Sequence, residues 1–260
     1  MRRCASLLAL ICCLLSAAAA RAGDFVALYK GYWAGLPAAR IRVALHEDDG
    51  RYRSEIDISS EGLPHLVTQF RAHAFSEGRL IADRYPAPMQ YNAVYDLRKR
   101  RDRHLSMRFV AHGGSVIAER GPDDTSRKPP LAEQFRRNVL DPITVLTLVR
   151  RQLRRGARKD FTIPVYDGAR RFDVEAHFLP TRNTKPGTLD LDLTLRPIAG
   201  FKGETAEEGD RDPDDSPRTV ALTISDDAHL VPLSLTVPVA YLPLVVQFDR
   251  FCTGAPCPAD

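Results

Sequence analysis

Asp210, Asp212 and Asp214 have the alternate spacing with which a calcium loop presents its carboxylates, the pattern in this 260-residue chain that comes nearest to a known site. The rest of that loop is missing. Asp215 stands where the sharp turn requires glycine, and Ala221 where a bidentate glutamate should complete the shell. A solvated acidic loop accounts for these residues. The seven histidines (His46, His65, His73, His104, His112, His177 and His229) form no H-x-H, H-E-x-x-H or Cys/His spacing, so the sequence offers no zinc ligand set and no metal or cofactor is expected.

Nucleophilic catalysis finds no better footing. No G-x-S-x-G elbow occurs, and Gly113-Gly114-Ser115 falls in a hairpin turn rather than at the strand-to-helix bend that exposes a catalytic serine. The carboxylate pairs Asp123/Asp124, Asp190/Asp192 and Asp226/Asp227 sit in turns or on the outward phase of strands, where solvent and not a substrate is the expected partner. No catalytic residue is nominated. What remains is apolar: Tyr29, Tyr32 and Trp33 on the first strand suit either a core or the wall of a ligand cavity. Trp33, Leu66, Phe70, Val145 and Val149 are the candidate ligand-binding residues.

These residues must be positioned by regular elements, and one helix stands out. In Asp141 to Gly156 (DPITVLTLVRRQLRRG), Asp141 can cap the first turn, Pro142 suits the first helical position, and Gly156 suits the stop. At about 100° per residue, Val145, Leu146, Val149 and Leu153 share a core-seeking face, while Thr144, Thr147, Arg150, Arg151, Arg154 and Arg155 share a solvent face. Arg150, Arg151, Arg154 and Arg155 complement the negative end of the helix dipole, and they are also the candidates for contact with an anionic group.

Elsewhere the chain alternates with the two-residue period of strands. Ile41, Val43 and Leu45 oppose Arg40, Arg42 and His46; Tyr52, Ser54, Ile56 and Ile58 oppose Arg53, Glu55 and Asp57; Leu189, Leu191, Leu193 and Leu195 oppose Asp190, Asp192 and Thr194. Asp49-Gly50 and Asp167-Gly168 mark hairpins, and the basic run Arg98 to Arg103 reads as a hairpin tip. Gly62 to Phe70 breaks the alternation and is expected to be a short helix or an apolar edge loop. Leu244 to Phe248 is nearly continuous in apolar residues, which implies cover on both faces. Residues 203–218 hold no large apolar side chain and read as a mobile acidic loop.

Residues 1–22 read as a cleaved signal peptide: Arg2 and Arg3 precede an apolar run from Ala5 to Ala20, and Ala20-Arg21-Ala22 offers small residues for cleavage. Its loss removes three basic and no acidic residues, which takes the net charge from +4 to +1 and with it the electrostatic case for nucleic-acid binding. It also removes Cys4, Cys12 and Cys13. Cys252 and Cys257 remain, and in an oxidising compartment that pair is expected to form a disulfide in a tail of residues 252–260.

The order of several segments resembles an exported bacterial family, the domain-of-unknown-function 3108 family. The resemblance rests on Gly35-Leu36-Pro37-Ala38, the strand Tyr52 to Gly62 ending in S-S-E-G-L, the Asp141-Pro142 helix start, Pro164 to Gly168, Pro186-Gly187-Thr188, and Ile224 to Asp227 followed by Val231-Pro232-Leu233. It implies location and a β-rich fold and brings no catalytic residues. The 203–218 insertion and the cysteine-bearing tail depart from the pattern.

The expectation is therefore a periplasmic protein of one domain, residues 23–251. It should be a strongly curved antiparallel sheet, an open barrel or a sandwich, packed against one main helix at 141–155. Binding of a lipid or other apolar ligand leads among the functions, ahead of a scaffold for another envelope protein and of a hydrolase acting on an envelope polymer.

Overall fold

The alternating segments pair into one sheet. In the computed structural model, which describes residues 24–48, 50–81, 85–97, 100–125, 129–179, 185–201, 216–239 and 242–252, thirteen antiparallel strands are hydrogen-bonded in the order β7-β6-β5-β4-β3-β2-β1-β13-β12-β11-β10-β9-β8. In chain order they are β1 (Phe25–Trp33), β2 (Leu36–Asp48), β3 (Arg51–Ser60), β4 (Arg71–Arg79), β5 (Ala87–Leu97), β6 (Arg100–His112), β7 (Ser115–Arg120), β8 (Phe161–Tyr166), β9 (Arg171–Phe178), β10 (Thr188–Ala199), β11 (Arg218–Ser225), β12 (Pro232–Val239) and β13 (Leu242–Phe251). The helices are α1 (Gly62–Thr68), α2 (Glu133–Arg136) and α3 (Thr144–Arg154). The segment Gly62 to Phe70 thus holds a short helix over Gly62–Thr68. Residues 1–22, expected to be a signal peptide, most of residues 203–218, expected to be an acidic loop, and Cys257 lie outside the described residues.

The sheet curls into a nearly closed barrel, not a sandwich, with the first strand of the chain beside the last. Its free edges, β7 and β8, face one another across a seam that residues 137–140 fill. On one side the Asn138 amide donates to the Val116 carbonyl at 2.7 Å, while the Asn138 side-chain oxygen accepts from the Val116 amide at 2.9 Å. On the other, the Leu140 amide donates to the Pro164 carbonyl at 2.8 Å and the Leu140 carbonyl accepts from the Tyr166 amide at 2.9 Å. Edge groups that would otherwise invite another chain are thereby satisfied.

From that seam the chain turns inward. Asp141 is fully buried, and its Oδ1 accepts from the amides of Ile143 and Thr144, both at 3.0 Å, so it holds the turn that leads into α3, whose cap position is Ile143 and not Asp141. Pro142 lies in the turn before the helix instead of at its first position. At the far end Gly156 takes a φ of 72° and its amide closes on the Leu153 carbonyl at 2.9 Å, the left-handed stop that glycine tolerates.

α3 lies inside the wall, across one end of the barrel. Leu148, Val149 and Leu153 pack with Ile163, Val165, Val174, Leu189, Leu191, Leu222 and Ile224, and a second group around Tyr91, Ala93, Met107 and Ile143 fills the β5–β7 side. One expectation fails in β13, whose residues are half-buried or exposed throughout. Its apolar run does not mean cover on both faces, because the barrel's outer surface over it is bare.

Candidate functional site

The first part of the α3 face read as solvent-facing, Thr144, Thr147 and Arg150, is buried. Thr144 and Thr147 receive three inward-phase hydroxyls from the wall: Tyr52 Oη lies 2.8 Å from Thr144 Oγ1, Ser54 Oγ 3.1 Å from Thr147 Oγ1, and Ser76 Oγ 2.9 Å from Thr144 Oγ1. Ser76 also donates to Asp141 Oδ2 at 2.8 Å, and Thr144 Oγ1 donates to the same oxygen at 2.6 Å. Burial pushes the Asp141 carboxyl above its ordinary value against the opposing pull of those hydrogen bonds. The threonines face inward because β3 and β4 meet that side of the helix with hydroxyls instead of aliphatic groups.

Arg150 corrects the proposed anionic-contact face. Its side chain is fully buried, 3.2 Å from Glu47 and 2.8 Å from the His229 carbonyl, with its guanidinium 4.9 Å over the Phe25 ring. Desolvation, helped by the neighbouring Arg154, lowers its pKa to about 10, and Glu47 opposes that shift. Arg154 also pairs with Glu47, and Arg151 donates to the Ile81 carbonyl at 3.0 Å. Arg154 and Arg155 are exposed. The four arginines therefore split between a buried anchor, side chains tied to the wall, and one exposed helix end, and form no common patch.

With its polar face anchored, α3 turns its apolar face to the barrel lumen. A cavity of about 330 Å³ lies there, walled by Tyr29, Ile41, Val43, Ile56, Ile58, Leu193, Leu222, Leu235 and Val246, with Pro142, Val145, Leu146 and Val149 on the helix side; Pro232 and Ser234 complete the lining. That size suits a small ligand site, and its surface is almost wholly aliphatic. Tyr29 contributes a buried hydroxyl that has no hydrogen-bond partner among the described residues, and burial raises its phenol despite the nearby Arg150 charge.

The strand register shows which end is open. Tyr29, Ile41 and Ile58 stand one inward position beyond Ala27, Val43 and Ile56, and two beyond Phe25, Leu45 and Ser54, where α3 crosses. Leu45, Leu191 and Ile224, level with the helix, are buried, whereas Ile41, Ile58, Leu193, Leu235 and Val246 are only half-buried although they point inward. Solvent reaches them from the end opposite α3. Trp33 (45% exposed) and Leu66 (66% exposed) stand at the rim of that open end, and Phe70 is half-buried where β4 begins. Of the five candidate ligand residues, the fold thus places Val145 and Val149 in the wall and the other three around the mouth.

A wider depression of about 700 Å³ lies on the outer face of β1–β5 and β13. Its charges largely satisfy one another: Arg42 with Asp57 at 3.0 Å, His73 with Asp57 at 2.7 Å, Arg40 with Glu61 at 3.0 Å and Lys30 with Asp249 at 2.9 Å. Among the described residues no serine hydroxyl hydrogen-bonds to His73. The unsatisfied surface is in the lumen.

The model of the protein family of unknown function DUF3108 matches residues 28–247. The chain belongs to the DUF3108 family. No curated protein matches it. Among solved structures it is similar to a β-barrel-like protein of the domain of unknown function DUF1849 from Brucella abortus, at 10% identity and a TM-score of 0.55, over 89% of this chain and 98% of that one. At that identity the likeness concerns the fold alone. Like that structure, the DUF3108 chain is barrel-like, and among its described residues no helix is long and apolar enough to cross a membrane.

Proposed function

We propose that this DUF3108 protein is an exported, periplasmic binding protein that holds a lipid or other apolar molecule in its barrel lumen and acts as a carrier, without catalysis. One observation carries the reading: inward-pointing Ile41, Ile58, Leu193, Leu235 and Val246 face the apolar side of α3 across about 330 Å³ of space instead of closing on each other. Leaving such a surface uncovered forgoes about 25 cal/mol for each Å² that packing would have removed from water. A bound apolar molecule would recover that contribution. The buried hydroxyl ladder holds α3 by its polar face, so its apolar face stays apart from the opposite wall. The leader at residues 1–22 supports export, and Cys252 with Cys257 suits a disulfide there.

The test is a titration of purified protein with N-phenyl-1-naphthylamine, an uncharged probe that fluoresces in apolar surroundings, paired with organic extraction and mass spectrometry of the protein as isolated. Saturable fluorescence at one site per chain, lowered by added long-chain lipid, is the expected result. Absence of both probe binding and extractable lipid would sink the carrier reading.

A further inference from the structure

The mouth of the lumen is ringed by exposed apolar side chains. Trp33 and Leu36 flank the β1–β2 turn, Val239 and Leu242 flank the β12–β13 connection, and Leu63 and Leu66 stand on α1, with exposures from 39% at Val239 to 66% at Leu66. The register sets these connections side by side. Trp33 pairs with Leu36 on β2 and with Leu244 on β13, and Val239 pairs with Leu242. α1 joins them because the Glu61 amide before it donates to the Ala38 carbonyl at 2.8 Å, and Gly62 lies so close to the Pro37 carbonyl that a Cβ has no room. Three neighbouring projections thus present large apolar groups in one direction, away from α3, around the opening described above.

We propose that this open end docks on the surface of a lipid bilayer, with Trp33, Leu36, Leu63, Leu66, Val239 and Leu242 entering the zone between headgroups and acyl chains. The proposal extends the carrier reading, since an apolar ligand could then pass between bilayer and lumen without crossing water, but it stands on the rim itself. A contiguous apolar patch on a protein surface marks an interaction site. Separate short projections around an opening suit a deformable partner better than the flat, self-complementary face a second copy would need. A rim tryptophan is the side chain that membrane interfaces favour, and shallow apolar insertion is how proteins without a spanning segment hold a bilayer.

Trp33 is the only tryptophan in the chain, so its emission reports on the rim directly. The full-length mature chain is mixed with phosphatidylcholine vesicles, with and without phosphatidylglycerol, and followed by Trp33 emission and by sedimentation with the vesicles. The Leu36→Asp/Leu63→Asp variant is run in parallel, and N-phenyl-1-naphthylamine binding is measured on both without vesicles. Docking is supported if Trp33 emission moves to shorter wavelength, the protein sediments with phosphatidylcholine vesicles, and the variant loses at least about tenfold in vesicle affinity while its probe affinity holds. It is overturned by unmoved emission with no sedimentation, by vesicle binding undiminished in the variant, or by binding confined to phosphatidylglycerol vesicles and abolished by salt with emission unmoved. A dimer that the variant dissolves, without vesicle binding, overturns it in favour of a second copy. Vesicle docking with no probe binding would instead overturn the carrier reading and support the docking face alone.

Discussion

Asp141 is the residue through which the barrel holds its helix, and its removal has a cost that can be worked out. Its carboxylate accepts from four groups: the amides of Ile143 and Thr144, Ser76 Oγ and Thr144 Oγ1. In Asp141→Ala the two hydroxyls can turn to each other or to Tyr52, since Ser76 and Thr144 already lie 2.9 Å apart and Tyr52 Oη is 2.8 Å from Thr144. The two amides have no substitute acceptor in a buried turn, and each orphaned amide costs about 1–3 kcal/mol. Relief of a desolvated carboxylate, whose raised pKa records its unease, offsets part of that. The expected net loss is about 3 kcal/mol, measured by urea unfolding at pH 7 with far-ultraviolet circular dichroism, or about 10 °C in Tm for a chain of this size. Asp141→Asn keeps an acceptor for the amides and should lose less than half as much. A change within about 0.5 kcal/mol for Asp141→Ala would refute the argument that this residue anchors α3.

Further outcomes follow from neighbouring groups. Because burial raises the Asp141 carboxyl, the folded state holds its proton more tightly than the unfolded chain. The stability this supplies is full below the ordinary value of 3.8 and is lost as pH rises through the folded pKa. The stability of wild type minus that of Asp141→Asn should therefore fall as pH is raised from about 3 and then level off, and a difference that rises with pH would show the sign to be wrong. Arg150→Met should destabilise by about 2 kcal/mol in the same unfolding assay, less than for an isolated buried pair because Arg154 still covers Glu47. Tyr29→Phe removes a buried hydroxyl that has no partner among the described residues, so ligand-free protein should be equally stable or gain up to about 1 kcal/mol. In Gly78→Ala the new methyl would meet the Ala87 carbonyl, Pro88 and the Tyr52 ring, and a loss of about 1–3 kcal/mol is expected.

Much of the wall was legible because period-two alternation is a local signal. Tyr52, Ser54, Ile56 and Ile58 do share the inner face, and Asp167-Gly168 does join β8 to β9. The helix was equally plain, with Asp141 holding the turn that leads into it and Gly156 ending it as its type suggests. Its orientation was not legible. A run of threonine and arginine normally means water, and only the inward-phase hydroxyls of Ser54 and Ser76, small polar groups where aliphatics would be expected, hinted that something polar faces them. The seam at residues 137–140 was also hidden, since pairing to two edge strands on different sides leaves no periodicity. The lumen could not be read at all: Ile58 and Leu193 have the same pattern as Leu191, and only the three-dimensional spacing shows that the first two stop short of a neighbour.

The carrier reading rests on that space, and filling it is the sharpest experiment. Val145 is half-buried and lines the lumen from the helix side, so in Val145→Phe the added ring has room to enter the cavity without displacing packed neighbours. Val145→Phe is expected to fold, with Tm equal to wild type or higher, and to lose at least about tenfold in affinity for N-phenyl-1-naphthylamine, which places the probe in the lumen. Unchanged probe affinity in a folded Val145→Phe would contradict that placement, because the probe would then be binding somewhere other than the lumen.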